Sequence, residues 1–179
     1  QKEYMVTGVG YRPEGQILDG ENPAQMTHNL DIILKTALLC NDAAFDVAHN
    51  IIGDPTEGAL LMLAAKGGLT QTDKRERYPQ LNEYPFDSTR KMMTSIHQID
   101  ERILVLTKGA PDQLIKRCNR IQIQEEIRTM TEEDIARILA QNDVYSQKAF
   151  RVLGFAYRET DQPKAMDLEN QLIFVGLTA

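Results

Sequence analysis

Between residues 80 and 107, three runs suited to a pleated surface follow one another almost without a break, at 80–86, 91–98 and 102–107. Asp100-Glu101 leaves just enough chain to reverse direction, so the last two runs form a hairpin. A parallel pairing would need a crossover of a dozen residues or more, and no such length is present here. The chain is thereby constrained to an α+β fold, an antiparallel β-sheet flanked by helices, rather than a doubly wound parallel sheet.

The flanking segments supply the helices and further strands. Residues 3–11 read as a strand, Arg12-Pro13-Glu14-Gly15 as a turn, and Gln16-Ile17-Leu18 as its hairpin partner. From Thr27, the apolar positions Leu30, Ile33, Leu34, Ala37 and Leu38 recur at helical spacing and predict an amphipathic helix through Ala44. Asp54-Pro55-Thr56-Glu57 combines a capping Asp, Pro at the first helical position and an acid in the first turn, and starts a helix that ends at Gly67-Gly68. Residues 70–78 read as a polar connector. Pro111 opens a short helix through Cys118, Ile121-Gln122-Ile123 alternates like an edge strand, and Thr131 to Asp134 forms a capping box for a helix through Phe150. A strand over 151–157 places Leu153, Phe155 and Tyr157 on one face.

Several function classes are disfavoured at once. The formal net charge of −6 and the lack of a massed Lys/Arg cluster argue against nucleic acid or an anionic membrane surface as a partner. Cys40 and Cys118, placed on predicted helices without CxxC spacing, read as buried reduced thiols. No run reaches the length of a spanning helix, so direct membrane contact is not expected. At 179 residues one domain is the default, and an acidic surface favours a monomer. The start at Gln1 and the stop inside the apolar run 172–177 read as a piece excised from something longer. Phosphate-loop, dinucleotide-binding and serine-hydrolase signatures are absent, and His28, His49 and His97 have no metal-binding spacing, so each histidine is taken as structural or solvated. Asp54, Asp87 and Asp112 read as turn and helix caps.

The residues that could carry chemistry are Phe86-Asp87-Ser88-Thr89-Arg90-Lys91-Met92-Met93 and Lys108-Gly109-Ala110-Pro111. An aromatic face followed by cations suits an adenine nucleotide, whose base gains about 1–3 kcal/mol from stacking and whose phosphates need positive charge. Alternation puts Lys91 with Met93 on one face and Lys108 with Leu104 and Leu106. Lys108 then emerges from an apolar face beside Gly109, which leaves room for a close ligand. On pattern alone Phe86 serves equally as a core aromatic, and Lys91 and Lys108 as solvated charges.

Four blocks add a family resemblance: Gly53-Asp54-Pro55-Thr56-Glu57-Gly58-Ala59-Leu60, Phe86 through Met93, Lys108-Gly109-Ala110-Pro111-Asp112, and Phe150-Arg151-Val152-Leu153-Gly154-Phe155-Ala156. In order and approximate spacing they resemble the nucleotide-binding domain of P-type cation-transporting ATPases, and FDSTRKMM with GDPTEGALLMLAAKGGL is most similar to the calcium-transporting, bacterial type. The resemblance implies that Phe86 stacks on adenine, Glu57 meets the adenine amino group, Lys108 lines the base pocket, Lys91 approaches the phosphates and Arg151 reaches the phosphate end. Thr56 is a weaker candidate beside Glu57, and Glu57 also reads as a first-turn acid favoured by the helix dipole. Where some calcium pumps of animals carry an arginine, this chain has Ser88, and Arg90 is the candidate to supply that charge. The resemblance further implies a domain spanning 1–179, with 1–10 and 172–179 as connections to a missing phosphorylation domain. That domain's DKTGT aspartate is not in this sequence. Such a domain holds ATP, with Mg²⁺ in the full pump, and presents it to the phosphorylation and actuator domains on the cytosolic side of a bacterial plasma membrane. The ion itself is set by membrane residues this sequence lacks. A self-sufficient ATP-dependent kinase or hydrolase, and a ligand-free interaction module, are the competing readings.

Overall fold

The computed structural model describes residues 2–46 and 50–179, with the side chains of 74 and 75 undescribed. In chain order the strands and helices are β1 (Met5–Val6), β2 (Ile17–Asp19), β3 (Asn22–Pro23), α1 (His28–Leu39), β4 (Ala44–Phe45), β5 (Ile51–Ile52), α2 (Pro55–Lys66) and α3 (Gln71–Glu76). The central hairpins follow as β6 (Gln80–Asp87), β7 (Met92–Ile99) and β8 (Arg102–Gly109). Then come α4 (Pro111–Leu114) with a 3₁₀ turn after it, β9 (Cys118–Ile123), β10 (Glu126–Thr129), α5 (Glu132–Gln147), β11 (Leu153–Glu159) and β12 (Leu172–Thr178).

Seven strands form one sheet in the order β10-β9-β12-β11-β8-β7-β6. Each adjacent pair is antiparallel except β12 with β9, so the expected α+β architecture holds with a parallel step among the described strands. The β7–β8 hairpin turns at Asp100, whose φ of +53° is a left-handed conformation that Asp tolerates through its short polar side chain. Period-two alternation gives the sheet two apolar faces. Leu104 and Leu106 of β8, Phe155 and Tyr157 of β11, and Ile173 and Val175 of β12 pack against Leu38, Leu60 and Leu61 of α1 and α2. On the other face Ile96, Val105, Ala156 and Leu172 meet Leu114 of α4 and Leu168 from the β11–β12 connection.

The differences from the sequence-based expectations have local causes. Ile121-Gln122-Ile123 is not an edge: β9 lies between β12 and β10, and the edge is β10, whose single apolar residue gives no alternation to read. The connector at 70–78 contains α3, set by a capping box between Thr70 and Asp73 and carrying no apolar periodicity. Helix α1 stops at Leu39, because Asn41 Nδ2 takes the Ala37 carbonyl at 2.8 Å and ends the ladder. Cys40 therefore caps a helix and Cys118 begins a strand; neither sits within a helix as expected. Helix α5 ends at Gln147, where Ala149 adopts φ +62° and Phe150 N–H returns to Tyr145 O at 3.1 Å. The last predicted strand runs 153–159, so Arg151 precedes it. The β1–β2 hairpin is present in register Met5 to Leu18, and the capping box at Thr131 and Asp134 forms as expected. His28 meets the Tyr157 hydroxyl at 3.3 Å and His97 is buried against the Tyr78 carbonyl at 2.9 Å, both structural settings; His49 lies outside the described residues.

Candidate functional site

Helix α2 aims its N-terminus at the site because Asp54 caps it, its Oδ1 accepting from Thr56 N–H at 2.8 Å and Glu57 N–H at 3.4 Å. The Thr56 hydroxyl and these N–H groups hold the Asp54 carboxyl below its usual range, and the positive charge of Arg151 adds to the shift. Gly53 makes the approach possible, with φ +122° and the Ala43 Cα only 3.0 Å from where a Cβ would sit. One turn in, Glu57 is pinned on three sides. Its Oε1 accepts from Lys108 Nζ at 2.6 Å, its Oε2 accepts from Asp42 N–H at 3.1 Å, and its carbonyl accepts from Asn41 Nδ2 at 2.9 Å.

Lys108 comes from the far end of β8, in register between Met93 of β7 and Phe155 of β11. It is 6% exposed, so it is neither a solvated charge nor an apolar core residue; the ion pair with Glu57 compensates its burial. The pairing spans 51 positions of sequence. Beneath it the Cys40 thiol donates to Met93 O at 3.3 Å, and burial pushes its pKa up to about 11.

Phe86 lies on β6, the sheet edge, and is 62% exposed, which answers the choice between core and surface for this ring. A bulge between Tyr84 and Asp87 sets Pro85 and Phe86 opposite Met93, whose other neighbour in the same row is Lys108. Phe86, Met93 and Lys108 thus occupy one level of three successive strands, and at about 4.8 Å per strand the backbones of Phe86 and Lys108 stand about 10 Å apart.

Lys91 does not share a face with Met93, because it belongs to the turn rather than the strand, with φ +53° and an exposed side chain. Its N–H donates to Asp87 O at 2.7 Å and its carbonyl accepts from Ala110 N–H at 2.9 Å. That second contact also corrects the expectation for Gly109. A Cβ there would lie 2.6 Å from both Lys91 O and Met92 Cβ, so the missing side chain makes room for the neighbouring strand and not for a ligand. Arg90 turns away from Lys108. It pairs with Glu169, whose Oε1 also accepts from Thr94 Oγ1, a buried group hydrogen-bonded to Thr107 beside Val105 on the opposite face. Two open cavities of about 370 and 390 Å³ share Arg90 and Arg117 there, and neither is lined by Phe86, Glu57 or Lys108. The structure therefore pairs Lys108 with Glu57, the residue after Thr56, sets Phe86 at the same level two strands along the sheet from Lys108, keeps Arg151 within electrostatic reach of the α2 cap, and sets Arg90 apart. Sequence reasoning missed Asn41, Asp42 and Glu169. The first two follow a helix end and the third sits in a polar connection, positions without any periodic signal.

What the shelf can do chemically is limited and specific. An exposed ring, a desolvated carboxylate–ammonium pair and flanking cations offer a flat apolar face and local charge to a planar, anionic ligand. Among the described residues no three His, Cys, Asp or Glu side chains converge on a metal position, and no helix is long and apolar enough to cross a membrane.

Residues 29–179 match the family model described as P-type ATPase, cytoplasmic domain N. The chain is similar to calcium-transporting ATPase 1 of Lactococcus lactis, 39% identical over 151 residues, which cover 83% of this chain and 17% of that protein. It is 34% identical over 186 residues to a calcium-transporting ATPase of Bacillus subtilis, covering 99% of this chain and 21% of the relative. It is also 34% identical over 183 residues to human calcium-transporting ATPase type 2C member 1, covering 96% and 18%. The chain thus spans about a fifth of the length of the curated relatives it matches. With the family model extending from α1 through β12 and taking in each of the site residues above, the chain belongs to the family of cytoplasmic N domains of P-type ATPases.

Proposed function

We propose that this chain binds an adenine nucleotide on the shelf between β6 and the N-terminus of α2. Phe86 stacks on the base, Glu57 accepts from the adenine amino group, and Lys108 lines the pocket while holding Glu57 in place. Lys91 and Arg151 face the phosphates, and Thr56 supports the Glu57 end. Gly109 serves by letting the Lys91 turn close on β8. The observation that carries this reading is a large aromatic left mostly exposed on an edge strand, level with a buried Lys–Glu pair. A ring that is 62% exposed contributes little to the core, whereas stacking on a purine is worth about 1–3 kcal/mol.

As part of a longer pump, the domain would hold ATP and present its γ-phosphate to a phosphorylation domain, with cation transport, by the names of the relatives calcium transport, following from chemistry elsewhere. Mg²⁺ enters with the nucleotide phosphates. The family's DKTGT nucleophile is absent from this sequence, so the chain alone binds and does not hydrolyse. Stacking plus a few exposed charge contacts, less the entropy of immobilising the ligand, gives a dissociation constant on the order of 0.1–1 mM. We expect a monomer whose partners are the other domains of the same polypeptide.

Amide-shift titration with AMP, ADP and ATP tests this. All three should perturb the same residues around Phe86, Glu57 and Lys108, and Phe86→Ala should weaken each about tenfold, within the range for one lost base–aromatic stack. Unchanged binding by the variant would reject the stacking role. Measurable ATP turnover by the pure chain would favour a self-sufficient enzyme.

A further inference from the structure

Glu169 lies in the connection between β11 and β12, 79 positions from Arg90, yet its carboxylate holds the turn at 87–91 from the opposite face of the sheet. Both oxygens accept from the Arg90 guanidinium, and Oε1 also accepts from Thr94 Oγ1 at 2.8 Å. Thr94 is buried and shares a 2.9 Å hydrogen bond with Thr107, so the contact is rooted between β7 and β8. With side-chain exposures of 13% for Glu169 and 28% for Arg90, the pair is partly buried. Arg90 also donates to Pro85 O at 2.7 Å, immediately before Phe86. One carboxylate thus links the strand end that bears Phe86, the turn that carries Lys91 and a buried threonine pair.

The turn requires such restraint. A left-handed, non-glycine conformation like that of Lys91 costs about 1–2 kcal/mol and persists only where the surroundings enforce it. Asp87 Oδ1 accepts from the N–H groups of Thr89 and Arg90, both at 2.9 Å, and Ala110 N–H holds the Lys91 carbonyl. The Arg90–Glu169 contact is the side-chain tether from this turn to the sheet's other face.

We propose that Glu169 is a positioning residue for nucleotide phosphates. By engaging Arg90 it fixes the turn so that Lys91 is the cation presented. This rests on the reading that Phe86 and Lys91 receive an adenine nucleotide. Adenosine uses the base shelf alone while ATP uses both parts, so the role of Glu169 shows in the ratio of the two affinities.

The test is a titration of wild type, Glu169→Ala, Glu169→Gln, Arg90→Ala and the Glu169→Ala/Arg90→Ala double variant with adenosine and with ATP, with thermal melts alongside. Glu169→Ala and Arg90→Ala should each weaken ATP about two- to fivefold, the worth of one exposed charge contact, and adenosine by less. The double variant should be no worse than either single one, because the two residues act as a unit. Glu169→Gln still accepts from Arg90 and meets Thr94, and should keep the wild-type ratio. Tighter ATP binding by Glu169→Ala, additive losses in the double variant, or equal losses of adenosine and ATP would each overturn the positioning role. A wild-type response untouched by every Glu169 variant would overturn it while leaving nucleotide binding intact. No adenosine response at Phe86 in the wild type would overturn nucleotide binding itself, and this role with it. Should Glu169→Ala fail to fold, Arg90→Ala must show the loss and Glu169→Gln must not.

Discussion

At position 109 there is no room for even a methyl group, since it would arrive 2.6 Å from the Lys91 carbonyl oxygen and from Met92 Cβ. The clash is with backbone and a strand-bound side chain, neither of which can swing away. Gly109→Ala should therefore destabilise the chain by about 1–3 kcal/mol, the usual cost of overpacking, and shift the amide resonances of residues 87–91. Urea unfolding with m unchanged would measure the first, and an unshifted turn would contradict the close-approach explanation. Residue types were the most legible layer of this chain. A lysine at the end of an apolar strand and an aromatic beside a cation cluster could be singled out from the sequence, and both sit at the candidate site. What each touches could not be read. Whether Lys108 met solvent, ligand or carboxylate depended on Glu57, a contact made only when α2 docks on the sheet, and Arg90 was diverted by Glu169 from a segment with no pattern.

The capping box of α5 shows an element whose start is written in four residues and whose stability depends on a fifth. Thr131 and Asp134 exchange their hydrogen bonds as expected, and Arg128 of β10 adds a bidentate contact to the Asp134 carboxylate at 2.6 and 2.9 Å. The hydrogen bond from Arg128, followed by those from the Thr131 backbone and hydroxyl, holds the Asp134 carboxyl well below the usual carboxylate range. A folded-state pKa below the unfolded value contributes stability that is complete above the unfolded pKa, about 4, and is lost as the pH falls from there through the folded value. Urea midpoints measured from neutral pH down to strongly acidic conditions should show a decline that Asp134→Asn flattens; parallel profiles would exclude this residue as a source of acid lability. Elements with neither periodicity nor an apolar face escaped the sequence. Helix α3 has a good cap but six polar or charged residues, and β10 offers a single Ile127, so both exist because neighbours give their backbones partners.

Both thiols report on the whole molecule. Burial raises Cys40 to about 11 and Cys118 to about 12, so at neutral pH each is protonated, Cys40 fully buried and Cys118, expected to be buried as well, only partly so. Cys40 lies under the site on the α1 side of the sheet, and Cys118 packs with Leu114 and Ile121 among the clusters around α4. Iodoacetamide should modify them together, at a rate that follows global unfolding in urea. Early labelling of one alone would mean that the two layers open separately. The sequence by itself determined the local vocabulary: the β7–β8 hairpin, the capped helices α2 and α5, and the four motif blocks. Those are set by backbone propensities and short-range hydrogen bonds, which neighbouring residues encode directly. Only the tertiary structure decided that β9 runs beside β12 in parallel, that Gly109 accommodates a strand, that Lys108 is buried against Glu57 and that Arg90 is held by Glu169. Those outcomes depend on which distant surfaces meet when both faces of the sheet are covered, and contacts across 51 or 79 positions leave no periodic trace in the chain.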